Sequence, residues 1–263
     1  MKIFDIHVHI YPDKIAQKAA DSIGIFYDGF PIQGNGRLDD YLARMDEAGV
    51  TRFAAHSVAM NPHNVESINH FIMDAWRSCP DRILPFAALH PDVQDIPALV
   101  DSLVEQGFRG VKIHPDIQRF VVDDPRSLEM LAALEGRLPV LIHCGDVRYD
   151  FDRPQRILNL HRQLPGLTII GAHFGGWSQW EEANLLLSGT ENILVDCSSS
   201  FYSMDREKAV QLIRRMGAEN VLFGSDYPMW TPKGELDFFL SLPLTDGERE
   251  AILWNNAARL FGL

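Results

Sequence analysis

The chain has 263 residues, of which 24 are Lys or Arg and 36 are Asp or Glu, a net charge of −12. That length and a hydrophobic content of 46% exclude a disordered chain, and the acidic balance excludes nucleic acid and anionic membrane as natural partners. No apolar run approaches the ~20 residues of a membrane span, and three cysteines without CxxC spacing fit a reduced, cytoplasmic protein.

The N-terminus, MKIFDIHVHI, is too short and polar for a signal peptide. Its apolar run Lys2–His9 reads as a strand ending Asp5-Ile6-His7-Val8-His9. Residues i and i+2 of a strand face the same side, so His7 and His9 project together, ~6–7 Å apart along the chain. Two imidazoles so placed reach a common metal, although an HxH pair alone is as readily a chance pair. The segment Tyr11–Gly36 reads as a glycine- and proline-rich loop expected to cover the site. Arg37 at its end is either an anion-binding cation or a solvated charge.

Leu38, Tyr41, Leu42 and Met45 then recur at i, i+3, i+4 and i+7, which predicts an amphipathic helix closed by Gly49. Arg52–Val58 and Ile83–Leu89 are the second and third strand candidates. His56 lies inside the second, His63 and His70 after it read as surface, and His90 sits at the rim beyond the third. Ile96, Leu99, Val100 and Leu103 repeat the helical spacing before Gly107. The fourth run, Gly110–His114, places Lys112 and His114 on one side.

Pro139–His143 ends in His143. The adjoining Cys144 faces away by alternation and belongs to core packing. His161 falls in a helical stripe with Ile157, Leu160 and Leu164. Leu167–His173 ends in His173, and the Trp177 and Trp180 beyond it wall a pocket or staple the next helix. Ile193–Cys197 is the seventh run. Ala209, Leu212, Ile213 and Met216 form a stripe before Gly217, and Val221–Asp226 is the eighth run, followed by Tyr227 and Trp230. A helix near Glu248–Phe261 closes the chain.

Eight runs, mostly of consecutive apolar residues, alternate with helices over one domain, 1–263. This is the pattern of a (β/α)8 TIM barrel of parallel strands buried on both faces. The alternative, a doubly wound sheet, usually carries a glycine-rich phosphate loop after its first strand, and neither GxGxxG nor GxxxxGK[ST] occurs. In a barrel the site lies at the C-terminal ends of the strands. His7, His9, His143, His173 and Asp226 all stand at that end, an N/O donor set suited to Zn²⁺, Mn²⁺ or Fe²⁺.

These residues sit in the segments FDIHVHIYP, RGVKIHP, PVLIHCGD, IIGAHFGG, LVDCSSS, VLFGSDYP and ILWNNAARLFGL. In this order they resemble the amidohydrolase superfamily, and more closely its amidohydrolase-related branch of metal-dependent barrel hydrolases and decarboxylases. The resemblance runs over the whole chain. It implies one divalent metal, zinc foremost with manganese or iron as alternatives, held by His7, His9, His143 and Asp226 with a water completing the site. It also implies His173 as a catalytic imidazole or one that supports the metal's ligands from behind, and Asp226 as a proton shuttle.

Such an ion lowers the pKa of bound water from about 16 toward 7, Asp226 can accept that proton, and His173 can donate to a developing oxyanion. Some superfamily members carboxylate a lysine near the position of Lys112 and so hold a second metal. Here Lys112, with His114, is read as substrate-binding. The expected activity is hydrolysis of a small ester, lactone or amide. Decarboxylation of an aromatic or unsaturated acid is the alternative, disfavoured because decarboxylase relatives tend to be longer. A non-enzymatic metal-binding scaffold fits the donor set poorly. The expected partner is a small molecule, with a homodimer as the default assembly.

Overall fold

The computed structural model describes residues 1–263. Its strands are β1 (Phe4–His9), β2 (Arg52–His56), β3 (Ile83–Ala88), β4 (Gly110–Ile113), β5 (Val140–Ile142), β6 (Ile169–Gly171), β7 (Ile193–Asp196) and β8 (Val221–Leu222). They pair in parallel in the order β1 to β8. The ring closes where Ile6 N–H donates to Phe223 O at 2.9 Å, Asp226 N–H to His7 O at 2.8 Å and His9 N–H to Tyr227 O at 2.8 Å. The expected eightfold barrel is therefore what the chain forms.

The helices follow the stripes read from the sequence. Leu38–Ala48 ends at Gly49 (φ 74°) and Ile96–Gln106 at Gly107 (φ 96°), both left-handed caps, and Arg206–Met216 ends at Gly217. Side chains of Asp95, Asp124, Asp205 and Thr231 accept the orphan N–H groups at four helix starts. The closing segment is broken into Asp246–Glu250, a π turn over Ala251–Asn255, and Asn256–Phe261.

Tyr11–Gly36 differs from its reading as a loop, because it contains a helix, Ala16–Phe26. Gly24 lies inside that helix, where a Cβ would meet Phe30 O at 2.8 Å. Its role is close approach of the following chain, not helix breaking.

The core has two parts. The larger packs the outward faces of the strands, such as Val8, Ile113, Val140 and Ile142, against the helices. The smaller fills the barrel with Phe4, Ile6, Leu84, Phe86, Leu141, Ile170, Leu194 and Leu222, plugged by Ala257 and Phe261 of the last helix. Burying each large side chain contributes ~1.5–3 kcal/mol, so the barrel floor is firm and only its other end is open for chemistry.

Strict alternation would turn His7 and His9 away from the face that Phe4 and Ile6 present. A bulge resolves this. Between Asp5 and Val8, β1 advances three residues while β2 advances two. The extra residue shifts the parity, so Phe4 and Ile6 fill the floor while His7 and His9 line the mouth. Asp5 holds the bulge: Oδ1 accepts from His7 N–H at 3.1 Å and Ser225 N–H at 2.9 Å, and Oδ2 accepts from Tyr41 OH at 2.8 Å.

Candidate metal centre and active site

The strands end earlier than the sequence runs do, and the polar residues sit just past the last ladder pairs. His143 follows Ile142, His173 follows the β6 strand, and Asp226 lies beyond Leu222. His173 (φ 59°), Ser199 (φ 46°) and Asp226 (φ 58°) occupy the left-handed region, rare for residues with a Cβ. Each costs ~1–3 kcal/mol, a strain that persists where the surroundings over-determine it and that gathers at functional sites. Gly224 permits the approach of β8 to β1: a Cβ there would stand 3.0 Å from His7 Cβ and 3.2 Å from Ser198 Cβ.

Four groups converge in the mouth. His7 Nε2 lies 3.2 Å from His9 Nε2, 3.1 Å from Lys112 Nζ and 3.3 Å from Asp226 Oδ1, and His9 Nε2 lies 3.5 Å from Asp226 Oδ1. The hydrogen-bond network sets the His7 tautomer. Its Nδ1–H donates to Asp196 Oδ2 at 2.8 Å, with Ser198 Oγ also 3.1 Å away, which leaves a lone pair on Nε2. Asp196 is saturated on its other oxygen by His173 N–H, Ser198 N–H and Ser198 OH at 3.1, 2.9 and 2.6 Å. This is the carboxylate–imidazole pairing that orients metal-ligating histidines.

His173 is fixed in the same way. The Ser198 hydroxyl donates to Asp196, so His173 Nδ1 faces only acceptors, Ser198 Oγ at 3.0 Å and Ser198 O at 3.1 Å, and carries the proton. Its Nε2 is then a lone pair, 3.1 Å from His143 Nδ1. Neutral His173 thus presents a lone pair at the mouth; the donor role toward an oxyanion expected from the sequence would need a proton on Nε2. Burial takes its pKa down to about 4. Burial, then the Lys112 ammonium, also holds His7 and His9 well below the ordinary histidine range. Burial, then His114 and His173, does the same for His143. All four rings are thus in the neutral state that metal binding requires.

Asp226 accepts from Ser199 OH, and Trp230 Nε1–H in turn donates to Ser199 Oγ at 2.8 Å. Burial pushes the Asp226 carboxyl up to about 7, against the pull of Ser199 and Lys112. Lys112 is fully buried, and burial lowers its amine to about 8. The donor set suits a divalent ion: four neutral imidazoles, of which His7 and His173 turn a lone pair inward, a carboxylate beside His7 and His9, and a buried ammonium at the same point.

A cavity of about 250 Å³ opens from this point, lined by His7, His9, Lys112, His114, His143, His173 and Asp226. Its apolar walls include Ile23, Phe26, Val58, Ile117 and Met229. Tyr27 OH is 3.1 Å from His114 Nε2, so the end of the Ala16–Phe26 helix roofs the pocket.

Most of the other sequence candidates fall outside. His56 is buried against His7 and His9, with one nitrogen of each ring within 4.8 Å of the others, and its Nε2 accepts from Val8 N–H at 3.2 Å. His90 Nδ1 accepts from Asp92 N–H in its own loop, His63 and His70 are exposed, and Arg37 pairs with Asp13 and Asp39 at the surface. Cys144 packs in the outer core, as alternation predicted. Trp177 packs at a tilt against Tyr27, which roofs the pocket, whereas Trp180 donates to Ser200. Asp196, Ser198, Ser199 and Tyr27 were not foreseen. The i, i+2 rule that singles out His7 and His9 applies equally to Asp196 and Ser198 at the end of β7.

Eight parallel strands with a histidine and carboxylate focus at their C-terminal mouth define a metal-dependent barrel enzyme. The amidohydrolase family model matches residues 4–263, and the chain belongs to that family. No curated protein matches it. Among solved structures, it is similar to an uncharacterized TIM-barrel protein from Bordetella bronchiseptica, with TM-score 0.81, 21% identity, and coverage of 100% of this chain and 99% of that one. It is also similar to a dihydroxybenzoic acid decarboxylase from Polaromonas sp. JS666 with bound manganese and 2-nitroresorcinol (TM-score 0.74, 18% identity, 100% and 97% covered). A third is a probable 2-pyrone-4,6-dicarboxylic acid hydrolase from Acinetobacter baumannii with citric acid bound (TM-score 0.71, 18% identity, 100% of both chains covered). What these share with the chain at such identities is the fold. No helix is long and apolar enough to cross a membrane.

Proposed function

We propose that the chain is a metal-dependent hydrolase of a small ester, lactone or amide, with one divalent ion held by His7, His9, His143 and Asp226. The convergence of His7 Nε2, His9 Nε2 and Asp226 Oδ1 within 3.2–3.5 Å carries this reading. A divalent ion at such a focus supplies Lewis acidity and lowers the pKa of water toward 7. Asp226, steadied by Ser199, accepts a proton on its carboxylate and returns it to the leaving group. His173, its Nδ1–H committed to Ser198, offers Nε2 as an acceptor. Lys112 meets the negative charge of the substrate, and His114 with Tyr27 bounds the pocket. The apolar walls select a compact body and exclude bulk water.

Zinc is the first choice of ion, and the manganese in the Polaromonas relative keeps manganese alongside it. A second ion enters only if Lys112 is carboxylated. Its bond to His7 Nε2 favours a free amine. Free Cys79, Cys144 and Cys197 support a reducing, cytoplasmic setting.

Decarboxylation of an aromatic or unsaturated acid is the second reading. Lys112 is the one lysine or arginine lining the cavity, suited to a single carboxylate. Chain length does not count against it, since the alignment spans 97% of the Polaromonas decarboxylase. The test is a panel of esters, lactones and amides run beside carboxylic acids with CO₂ detection. We expect hydrolysis, lost at least ~10³-fold in Asp226→Asn with the fold intact. CO₂ release without hydrolysis overturns the first reading in favour of the second.

A further inference from the structure

Beside the mouth lies a group of buried polar atoms that these roles do not use. His114, Asp116, His143 and Asp152 bring their ligand atoms within 4.8 Å of one another. Asp116 is 0% and Asp152 1% exposed. Both Asp116 oxygens, Asp152 Oδ2 and His143 Nε2 lack a hydrogen-bond partner. His114 is already committed, with Nδ1 accepting from Ile117 N–H and Nε2 meeting Tyr27 OH. Polar groups without partners in a dry interior are rare and call for an explanation.

In this group His143 Nε2 lies 3.6 Å from Asp116 Oδ2. The other nitrogen of the same ring, Nδ1, is 3.1 Å from His173 Nε2, which carries a lone pair. A neutral imidazole has one N–H to place. On Nδ1 it would bond His173 and turn the Nε2 lone pair against a carboxyl oxygen. On Nε2 it faces Asp116, and the Nδ1 lone pair joins that of His173 in pointing at the mouth. The second arrangement turns an N–H toward one Asp116 oxygen across 3.6 Å in place of the 3.1 Å bond to His173, leaves the other Asp116 oxygen and Asp152 Oδ2 without partners, and mirrors the way Asp196 sets His7.

We propose that Asp116 is a positioning residue, accepting the Nε2–H of His143 and thereby holding its Nδ1 lone pair toward the metal centre. The inference rests on the reading of His143 as a metal ligand. A carboxyl oxygen accepts this bond whether ionised or protonated, so the role does not depend on the charge of Asp116. Asp152 backs the pair, its Oδ1 accepting from Gly145 N–H at 3.0 Å. Gly145 (φ 92°) brings the loop in where a Cβ would stand 2.5 Å from Gly176 Cα, so this close packing is built into the chain.

Two measurements on the intact chain test the proposal. Long-range ¹H–¹⁵N NMR of the metal-free protein, with His143 assigned from the signal missing in His143→Gln, should show the Nε2–H tautomer. Chelator competition should show Zn²⁺ bound about 10–100-fold more weakly by Asp116→Leu, and near wild type by Asp116→Asn, which keeps an acceptor oxygen. An Nδ1–H tautomer in the wild type, or Asp116→Leu affinity within twofold of wild type, overturns the proposal. So do two Zn²⁺ per chain with one lost in both Asp116 variants, which would mark a second cation site. If Asp116→Leu does not fold, the wild-type tautomer decides. A wild type that binds no Zn²⁺ sinks the metal reading but leaves the tautomer measurable.

Discussion

Glu235 stands in the first turn of the helix Pro232–Leu240, 5% exposed, with Oε2 unpartnered. Burial, then the nearby Asp226, Asp5 and Asp196, pushes its carboxyl well above the usual range. The folded protein therefore holds a proton that the unfolded chain releases near pH 4.5. By linkage, this group's contribution is fully present below that pH and is lost as pH rises toward the folded value. Glu235→Gln imitates the protonated acid. Its stability should match wild type at pH 4 and exceed it increasingly toward pH 8, measured by urea denaturation across that range. An equal advantage at every pH would contradict the buried acid. Glu235 lies in a helix whose spacing marks no acid as buried, and only the packed structure shows the cost it carries. His7 and His9 are the opposite case, since their strand position and spacing alone mark them as a pair.

At the scale of elements, strands and helices were legible because period and caps are local properties. Strand ends were not: β5, β6 and β8 stop before His143, His173 and Asp226, and the backbone leaves strand geometry for the left-handed region at His173 and Asp226. The Ala16–Phe26 helix was hidden behind flanking glycines and prolines. It is latched over the pocket by Arg148, whose guanidinium donates to Phe26 O at 2.9 Å, Asp28 at 2.8 Å and Asp146 at 2.7 Å. The same group lies over the rings of Phe26, Tyr27 and Tyr149. Charge-assisted bonds of this kind are worth ~1.5–3 kcal/mol. Arg148→Ala should therefore raise KM about tenfold, with kcat less affected, and speed amide exchange over residues 16–28. Unchanged exchange there would remove the latch. Arg148→Lys should not restore closure, because a lysine lacks the planar fork that reaches all three acceptors.

At the scale of the molecule, an ion held as proposed by His7, His9 and Asp226 would tie β1 to β8 across the seam where the barrel closes. An ion bound only by the folded state adds stability with its concentration, ~2.7 kcal/mol at 100 times Kd. Removing it with a chelator should lower Tm by about 5–10 °C, the shift such a change produces in a chain of this size. Scanning calorimetry before and after chelation, then after zinc is returned, measures this. An unchanged Tm would count against an ion bridging the seam.

The fold class follows from the sequence by itself, and so does the choice of candidate site residues. Buried parallel strands need consecutive apolar residues, helices need a stripe, and polar residues that interrupt this pattern at one end of each strand stand out against it. Tertiary structure alone decided the rest. The β1 bulge shows how Phe4 and Ile6 can fill the floor while His7 and His9 line the mouth, a parity that depends on pairing with β2. Asp196, Ser198 and Asp116 meet their histidines across strands, His7 and Asp196 being 189 residues apart. Tautomer and direction of a lone pair are set by such distant partners, and no local spacing encodes them.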